Sequence, residues 1–322
     1  MHEIELIGLD GGNLLAYLAA LGTLRVLTLA EPEAEVRMSW VDRGWWMPVV
    51  HHSRISTGED LVGVLEQRIT PLIAVQPRKK SKKERAETPW KGERVKALQN
   101  ANRAFSRDLL DVSLADFRKE LETETQEPEQ REVADFLASL GSDCFAANKN
   151  GDEPATTKFR AIGAGNNEGF LGFMRTIHLE TKAGQLHNAL FVEWDYSDPP
   201  PFMRWDPNEY RPHALRAEDP AKDRERNNVR GANRLAIEAL PLFPTAPSAR
   251  RLETTGFDRD EITWPIWIAP LNVNTIASLV ASEEVKKADR ATMSHRGIVQ
   301  VFRAKRFTEG KYRNFSPAKA VL

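Results

Sequence analysis

The stretch Ile4-Glu-Leu-Ile-Gly-Leu-Asp-Gly-Gly-Asn-Leu-Leu-Ala-Tyr-Leu-Ala-Ala-Leu-Gly-Thr-Leu-Arg-Val-Leu-Thr-Leu29 decides the fold of this chain. Strand-forming residues precede a turn that is rich in glycine, and Asn13 then stands where a helix begins. Its side-chain oxygen is suited to accept a free backbone N–H of the first helical turn. The residues after Asn13 are apolar on nearly every face, which is typical of a buried helix. We therefore expect a strand, a glycine turn and a central buried helix.

The glycine turn has two interpretations. A glycine turn that opens a helix points backbone N–H groups at an anion, so it is able to hold a phosphate. The spacing Gly8-x-x-Gly11-Gly12 is neither the dinucleotide fingerprint G-x-G-x-x-G nor the phosphate loop G-x-x-x-x-G-K-[ST]. The favoured interpretation is a tight turn that lets the helix pack on its own strand. Contact with a nucleic-acid backbone is the alternative.

The composition is that of a globular protein, and the net charge of the whole chain does not indicate a nucleic-acid partner. The chain has 322 residues, of which 41% are hydrophobic, and its net charge is −1. This length predicts two domains or one large domain with insertions. The single cysteine, Cys144, excludes a disulfide within this chain and a zinc site built from cysteines. The apolar segment 14–29 contains Arg25 and follows acidic residues, so we expect no export, no membrane insertion and a cytoplasmic protein.

Hydrophobic periodicity predicts alternating helices and short strands. The segments 36–41 and 46–51 predict a hairpin beside the first strand. The predicted helices cover residues 58–69, 91–110, 114–121, 131–140, 170–177, 231–240 and 273–281. Further strands are predicted at residues 190–194, 251–255, 261–264 and 297–302. The expected fold class is α+β, with mixed helices and short, mostly antiparallel strands after the N-terminal strand, glycine turn and buried helix.

A change in composition divides the chain into two predicted halves. The polar run Asn148-Lys-Asn-Gly-Asp-Glu-Pro154 is a predicted loop, and the residues after it are richer in Trp, Pro and Arg. We predict an N-terminal α+β half at 1–143, with a helical segment and a basic loop at 77–86. The C-terminal α+β half covers 144–322.

The sequence contains no motif that commits it to catalysis. The histidines form neither H-x-x-x-H nor H-E-x-x-H, and no G-x-S-x-G is present. The closest carboxylates, Asp206 with Glu209 and Asp258 with Asp260 and Glu261, are ordinary for turns and surfaces. We therefore predict a protein that is not an enzyme, with no catalytic residue, no metal ligand and no cofactor.

Three basic segments are candidates for a contact with nucleic acid. Residues 296–313, 222–234 and 78–85 are rich in Lys and Arg, and the first of these runs interleaves its cations with aromatic residues. Cations neutralise phosphates and release counterions, and aromatic faces stack on unpaired bases. The candidate phosphate contacts are Arg230, Arg234, Arg303, Lys305 and Arg306, with Lys79, Lys80, Lys82 and Lys83 as electrostatic help. The alternative is a set of solvated faces, balanced by the acidic stretch 120–132.

Five stretches, taken together, carry a family resemblance. They are Gly8–Arg25, Arg204–Arg211, Gly231–Pro244, Trp264–Leu271 and Arg296–Pro317. They follow one another in a consistent order over nearly the whole chain, and Leu-Ala-Ala-Leu-Gly-x-Leu-Arg at 18–25 is the most recognisable element. In these stretches the chain resembles proteins of subtype I-U (also called I-G) CRISPR loci, of the large-subunit-like or accessory group.

The resemblance implies a non-catalytic subunit or accessory protein of a type I, Cascade-like interference complex in antiviral defence. Such a protein contacts CRISPR RNA, target DNA and other subunits, and large subunits read a short duplex motif and help to open the target. One alternative is a structural interaction protein whose basic faces meet acidic protein surfaces without binding nucleic acid. Another is a metal-dependent nuclease or nucleotide hydrolase that uses the Gly8–Asn13 turn and carboxylates such as Asp10 and Asp206.

Overall fold

The computed structural model describes most of the chain. The described residues are 1–69, 113–126, 131–146, 151, 154–161, 169–208, 228–248, 251–288, 290–309 and 312–322. The predicted helix 91–110 and the basic loop 77–86, with Lys79, Lys80, Lys82 and Lys83, lie outside these ranges. Both therefore stay predictions.

The described residues contain both helices and antiparallel strands, which confirms the predicted α+β class. The α-helices are α1 Leu14–Ala30, α2 Gly58–Ile69, α3 Leu114–Gln126, α4 Arg131–Leu140, α5 Gly169–Glu180, α6 Ala183–Phe191, α7 Arg230–Ala239, α8 Val273–Val280, α9 Glu283–Lys287 and α10 Arg290–His295. The strands are β1 His2–Glu5, β2 Val36–Asp42, β3 Trp46–His52, β4 Gly141–Ala146, β5 Pro154–Thr156, β6 Thr245–Ser248, β7 Arg251–Thr254, β8 Phe257–Asp258, β9 Glu261–Trp267, β10 Ile298–Glu309, β11 Tyr312–Phe315 and β12 Lys319–Ala320. No described helix is long and apolar enough to cross a membrane.

Helix α1 lies at the centre of the hydrophobic core, as the sequence predicts. Asn13 caps it, because its side-chain oxygen accepts the backbone N–H of Ala16 at 3.2 Å. Every residue of 14–27 is buried. Helix α7 crosses α1 so closely that a Cβ atom on Gly22 would lie 1.8 Å from the carbonyl oxygen of Leu235. The crossing therefore requires a glycine at this position.

The first sheet has the order β1-β3-β2 and is antiparallel throughout. The predicted hairpin is confirmed as β2 and β3, and the register places Val50 between Met38 on one side and Ile4 on the other. These three residues and Trp40 belong to the core that surrounds α1. The predicted strand, turn and helix are therefore present, although β1 ends at Glu5, earlier than the apolar pattern indicates.

The second sheet contains β8, β9, β10 and β11 in that order, and β12 also pairs with β10. Two tryptophans of β9 join it to the first part of the chain. Trp264 Nε1 donates to Gly11 O at 2.8 Å, and Trp267 Nε1 donates to Met38 O at 2.8 Å. The strand predicted at 297–302 is longer than expected, because β10 continues beyond it and pairs with β11. Much of the C-terminal basic run is therefore part of a sheet.

One large hydrophobic core joins the two predicted halves in the described residues. Its buried members run from Ile4 to Phe315, and α1 of the first half packs on α7 of the second. Strand β4 runs through the predicted boundary at 143/144 and pairs with β5. The change in composition near residue 150 therefore does not mark a break between two separate cores.

The strand predicted at 190–194 is wrong, because α6 extends to Phe191. Leu186, Ala189 and Leu190 are its buried residues, and their spacing is helical. They lie beside α7, where a Cβ atom on Gly231 would lie 2.0 Å from the carbonyl oxygen of Gln185. A short apolar run is compatible with the periodicity of a helix and with that of a strand when it is considered alone. Here the preceding residues are helical, and the run continues their helix.

Candidate nucleic-acid interface

Four basic side chains gather where β10, β11 and the β8–β9 turn meet the segment 157–161. We call Lys158, Arg160, Arg306 and Arg313 the basic cluster. Arg306 lies on β10, and its backbone N–H donates to Asp260 O at 2.6 Å. This bond fixes the two-residue β8–β9 turn beside the strand, and it brings the side chain of Asp260 into the cluster.

Two cations of the cluster meet at one carboxylate oxygen. Asp260 Oδ1 accepts from Lys158 Nζ at 3.0 Å and from Arg306 Nη1 at 3.3 Å. Arg306 Nη2 donates in addition to the backbone carbonyl of Arg160 at 3.0 Å. The side chain of Arg306 is 10% exposed, whereas that of Asp260 is 51% exposed. The guanidinium is therefore held inside the protein, and the carboxylate faces solvent.

The pKa values reflect this arrangement. Burial lowers the pKa of Arg306 to about 10, and the charges of Arg313 and Arg160 act in the same direction. Burial alone would raise the pKa of Asp260, but its hydrogen bonds to Lys158 and Arg306 and their charges outweigh burial and lower that pKa. Both groups are ionised at neutral pH. The cluster therefore presents a region of positive potential that Asp260 partly neutralises.

The predicted contacts on β10 divide between the two faces of the strand. Successive strand residues point to opposite faces, so Arg303 and Lys305 share one face and Arg306 points to the other. Lys305 is exposed, and so is the ring of Phe307 two residues further on. Arg303 is one-third exposed and donates to the carbonyl oxygen of Lys286 at 2.7 Å. Arg303 is therefore anchored against α9, while Lys305 and Phe307 are open to solvent.

Arg230 and Arg234 are buried rather than presented to a ligand. Their spacing does place both on α7, but every residue of that helix is buried. Arg230 Nη1 lies 2.6 Å from Glu180 Oε2, and Arg234 Nη2 lies 2.7 Å from Glu238 Oε1. Their side chains are 5% and 0% exposed. Arg234 and its partner Glu238 are both buried, and Arg230 donates in addition to the carbonyl oxygens of Pro199 and Pro200, so these two residues are not part of the basic cluster.

Lys158 and Arg160 belong to the basic cluster although the sequence did not single them out, and Arg160 is buried, at 2% exposure. Lys158 lies 102 residues from Asp260 in sequence, so no local pattern predicts their contact. Its backbone N–H donates to Thr254 Oγ1 at 3.0 Å, which places the segment beside β7. Arg313 does have a sequence signal, because it ends the C-terminal basic run.

The glycine turn before α1 is packed against other parts of the chain. The backbone N–H groups of Gly8, Gly11, Gly12 and Asn13 donate to Leu190 O, Trp46 O, Asp10 Oδ1 and Asp10 O, respectively. These donors are therefore occupied within the protein. Their occupation favours the packing interpretation of the turn over a phosphate cradle.

The carboxylates of the enzyme alternative accept hydrogen bonds from the protein itself. Asp10 accepts the N–H of Gly12, and Asp206 accepts from Tyr196 Oη at 2.7 Å and from the N–H of Asn208 at 2.8 Å. Burial raises the pKa of Asp206. Within the described ranges, no group of three His, Cys, Asp or Glu residues is placed to hold a metal ion. These contacts indicate a structural role for both carboxylates.

A serine, a histidine and a glutamate meet on the face of the first sheet that lies opposite to Met38 and Val50. Ser39 Oγ lies 2.8 Å from His51 Nε2, and His51 Nδ1 lies 3.5 Å from Glu3 Oε1. This order of groups resembles a serine nucleophile with its base. However, Ser39 is 5% exposed in the middle of β2, so its hydroxyl is not open to a substrate. We interpret the Ser39–His51 hydrogen bond as a link between β2 and β3.

No protein-family model matches the chain, and comparisons with curated proteins and with solved structures found no match.

Proposed function

We propose that the chain is a non-catalytic subunit or accessory protein of a type I CRISPR interference complex. In this role it contacts CRISPR RNA or target DNA through the basic cluster, and it binds partner subunits of the complex. The observation that carries the proposal is the convergence of Lys158 and Arg306 on one exposed carboxylate, with Arg160 and Arg313 beside them.

The charge distribution supports a local contact with nucleic acid. The net charge of the chain is −1, so attraction to phosphates has to come from a concentrated patch of cations rather than from the whole molecule. Lys158 and Arg313 are the partly exposed members of such a patch, and Arg306 and Arg160 lie more deeply in it. On the opposite face of β10, Lys305 and Phe307 place a cation beside an exposed aromatic ring, which suits the stacking of an unpaired base.

The test is a binding titration of the purified chain with duplex DNA, single-stranded DNA and CRISPR repeat RNA, at low and at physiological salt. We expect binding that weakens with salt but persists at physiological salt. The double variant Lys158→Gln, Arg313→Gln should lower the affinity about tenfold, and each lost phosphate contact should reduce the slope of log K against log salt by roughly 0.7 to 0.9.

The matched control is the double variant Arg43→Gln, Arg131→Gln. It removes the same charge from two exposed arginines, which lie on the β2–β3 turn and on α4. This control should bind like the wild type. If the wild type binds none of the three ligands but co-purifies with partner subunits, the interaction protein without nucleic-acid binding replaces the proposal.

A further inference from the structure

We propose that Lys158 and Arg306 form a binding site for a phosphate group, and that the carboxylate of Asp260 occupies this site when no nucleic acid is bound. The inference rests on the proposed function, because the phosphate is a phosphodiester of the RNA or DNA that the chain contacts. Asp260 is then an internal competitor that lowers the affinity of the contact.

The positions of the two donors support a phosphate site. Lys158 Nζ and Arg306 Nη1 converge on the same oxygen atom of Asp260, at 3.0 and 3.3 Å. Carboxylate and phosphate oxygens are both preferred acceptors for ammonium and guanidinium groups, with charge-assisted hydrogen bonds of similar length. A phosphate oxygen at the position of Asp260 Oδ1 would therefore meet both donors without a rearrangement of Arg306.

Arg306 and the carboxylate of Asp260 differ in how firmly they are held. Arg306 is nine-tenths buried, and its Nη2 atom is fixed by the carbonyl oxygen of Arg160. Asp260 is half exposed in a two-residue turn, and exposed side chains exchange rotamers within nanoseconds. The carboxylate is therefore able to turn into solvent while the arginine stays in place, which is what exchange with a phosphate requires.

The charge at the site favours an added anion. The Nε atom of Arg306 is buried and has no hydrogen-bond partner among the described residues. Burial lowers the pKa of this guanidinium to about 10, and two neighbouring arginines reinforce the effect. Asp260 therefore does not fully compensate the buried charge of the Arg306 guanidinium. A phosphodiester carries a full negative charge and offers several oxygen acceptors in place of one carboxylate oxygen.

The first arm of the test measures binding of the full chain to a fluorescent single-stranded oligodeoxythymidylate. We expect Asp260→Asn to bind about threefold more tightly and Lys158→Gln about threefold more weakly, which is the scale of one exposed ion pair. The matched control is Asp143→Asn, which neutralises a carboxylate that pairs with Arg118 at 2.9 Å outside the cluster. This control should leave the affinity unchanged.

The second arm measures the site without nucleic acid. The thermal unfolding midpoint is recorded in sodium phosphate and in sodium chloride of equal ionic strength. We expect phosphate to raise the midpoint of Asp260→Asn more than that of the wild type, because a ligand stabilises the folded state more strongly the more tightly it binds to that state. Each variant is compared with itself, so a loss of stability caused by the substitution does not obscure the result.

The outcomes separate this inference from the proposed function. If the wild type binds DNA or RNA but Asp260→Asn binds no more tightly, the inference is overturned and the proposed function stands. If the wild type binds no nucleic acid, the proposed function fails. In that case a larger phosphate shift for Asp260→Asn still supports the anion site, and equal shifts overturn it.

Discussion

At the scale of single residues, His51 and His52 show how burial sets the chemistry of adjacent side chains. They point to opposite faces of the first sheet. His52 Nδ1 accepts the backbone N–H groups of Arg54 and Ile55, at 3.0 and 2.9 Å, so this nitrogen carries no proton. Burial lowers the pKa of both histidines, and in each case the charge of a nearby glutamate opposes burial without outweighing it.

We expect the free energy of unfolding to fall when the pH is lowered from about 7.5 to about 5.5. The folded pKa of each histidine lies below the unfolded value of about 6.5, so the unfolded state takes up protons first. Each histidine contributes a slope of at most about 1.4 kcal/mol per pH unit. Urea unfolding at a series of pH values measures the sum of these slopes.

His52→Asn tests the assignment at the buried position. Asparagine keeps a side-chain acceptor for the two backbone N–H groups and removes the titration, so the slope should be smaller than in the wild type. The matched control removes an exposed histidine, His295→Gln, and the slope of His52→Asn is compared with the slope of this control. An unchanged slope in His52→Asn would show that this histidine does not carry the pH dependence.

At the scale of elements, the crossing of α1 and α7 holds the core together. Gly22 lets the two backbones approach, and Arg25 Nη1 lies 3.2 Å from Glu238 Oε2 across the crossing. The same glutamate pairs with Arg234 on its own helix. A buried carboxylate shared by two guanidiniums explains why Arg234 faces inward, since removal of one partner would leave an uncompensated buried charge.

Gly22→Ala should destabilise the protein by roughly 3 kcal/mol, because the added methyl group must displace a helix backbone. Gly63 in α2 provides the matched control, since beyond its chain neighbours and its own helix backbone no atom of the described residues lies within 4 Å of the position of an added Cβ. Gly63→Ala should stabilise the protein by up to about 1 kcal/mol, through the higher helix propensity of alanine. Both values come from urea unfolding, and a Gly22→Ala variant as stable as Gly63→Ala would disprove the close crossing.

At the scale of the whole molecule, an aromatic cluster joins the two predicted halves. Tyr17 and Trp40 stack with ring centroids 5.7 Å apart, and both contact rings of β9. Trp264 lies 5.8 Å from Tyr17, and Trp267 lies 5.9 Å from Trp40. The four rings come from both sides of the predicted boundary, so large aromatic side chains of the two halves pack against one another in a single cluster.

We expect tryptophan fluorescence and far-ultraviolet circular dichroism to report the same midpoint in urea unfolding. Fluorescence follows all eight tryptophans, which include Trp40, Trp264 and Trp267 of the aromatic cluster, and circular dichroism follows the helices, which pack on the same core. Coincident transitions are the sign of one cooperative unit. Two separated midpoints would instead support the division into halves at 143/144.

Much of the fold was predictable from local signals. The Asn13 cap, the bounds of α2 and the β2–β3 hairpin all follow from residues within one element or one turn. The candidate site was harder to predict from the sequence. The basic run 296–313 is a local signal, but side chains alternate between the two faces of β10, so Lys305 and Arg306 point in opposite directions. The contact of Asp260 with Lys158 joins residues that are 102 positions apart.

The sequence by itself determined the α+β class, the buried α1 and the glycine turn, because capping, turn chemistry and periodicity act between residues that are close along the chain. Only the tertiary structure decided which cations are buried in ion pairs in the core and which lie near solvent. Arg234 and Arg306 both come from basic runs, yet one pairs with Glu238 inside the core and the other reaches a solvent-facing carboxylate. Burial and charge pairing depend on elements that are distant in sequence, so composition alone could not distinguish these two arginines.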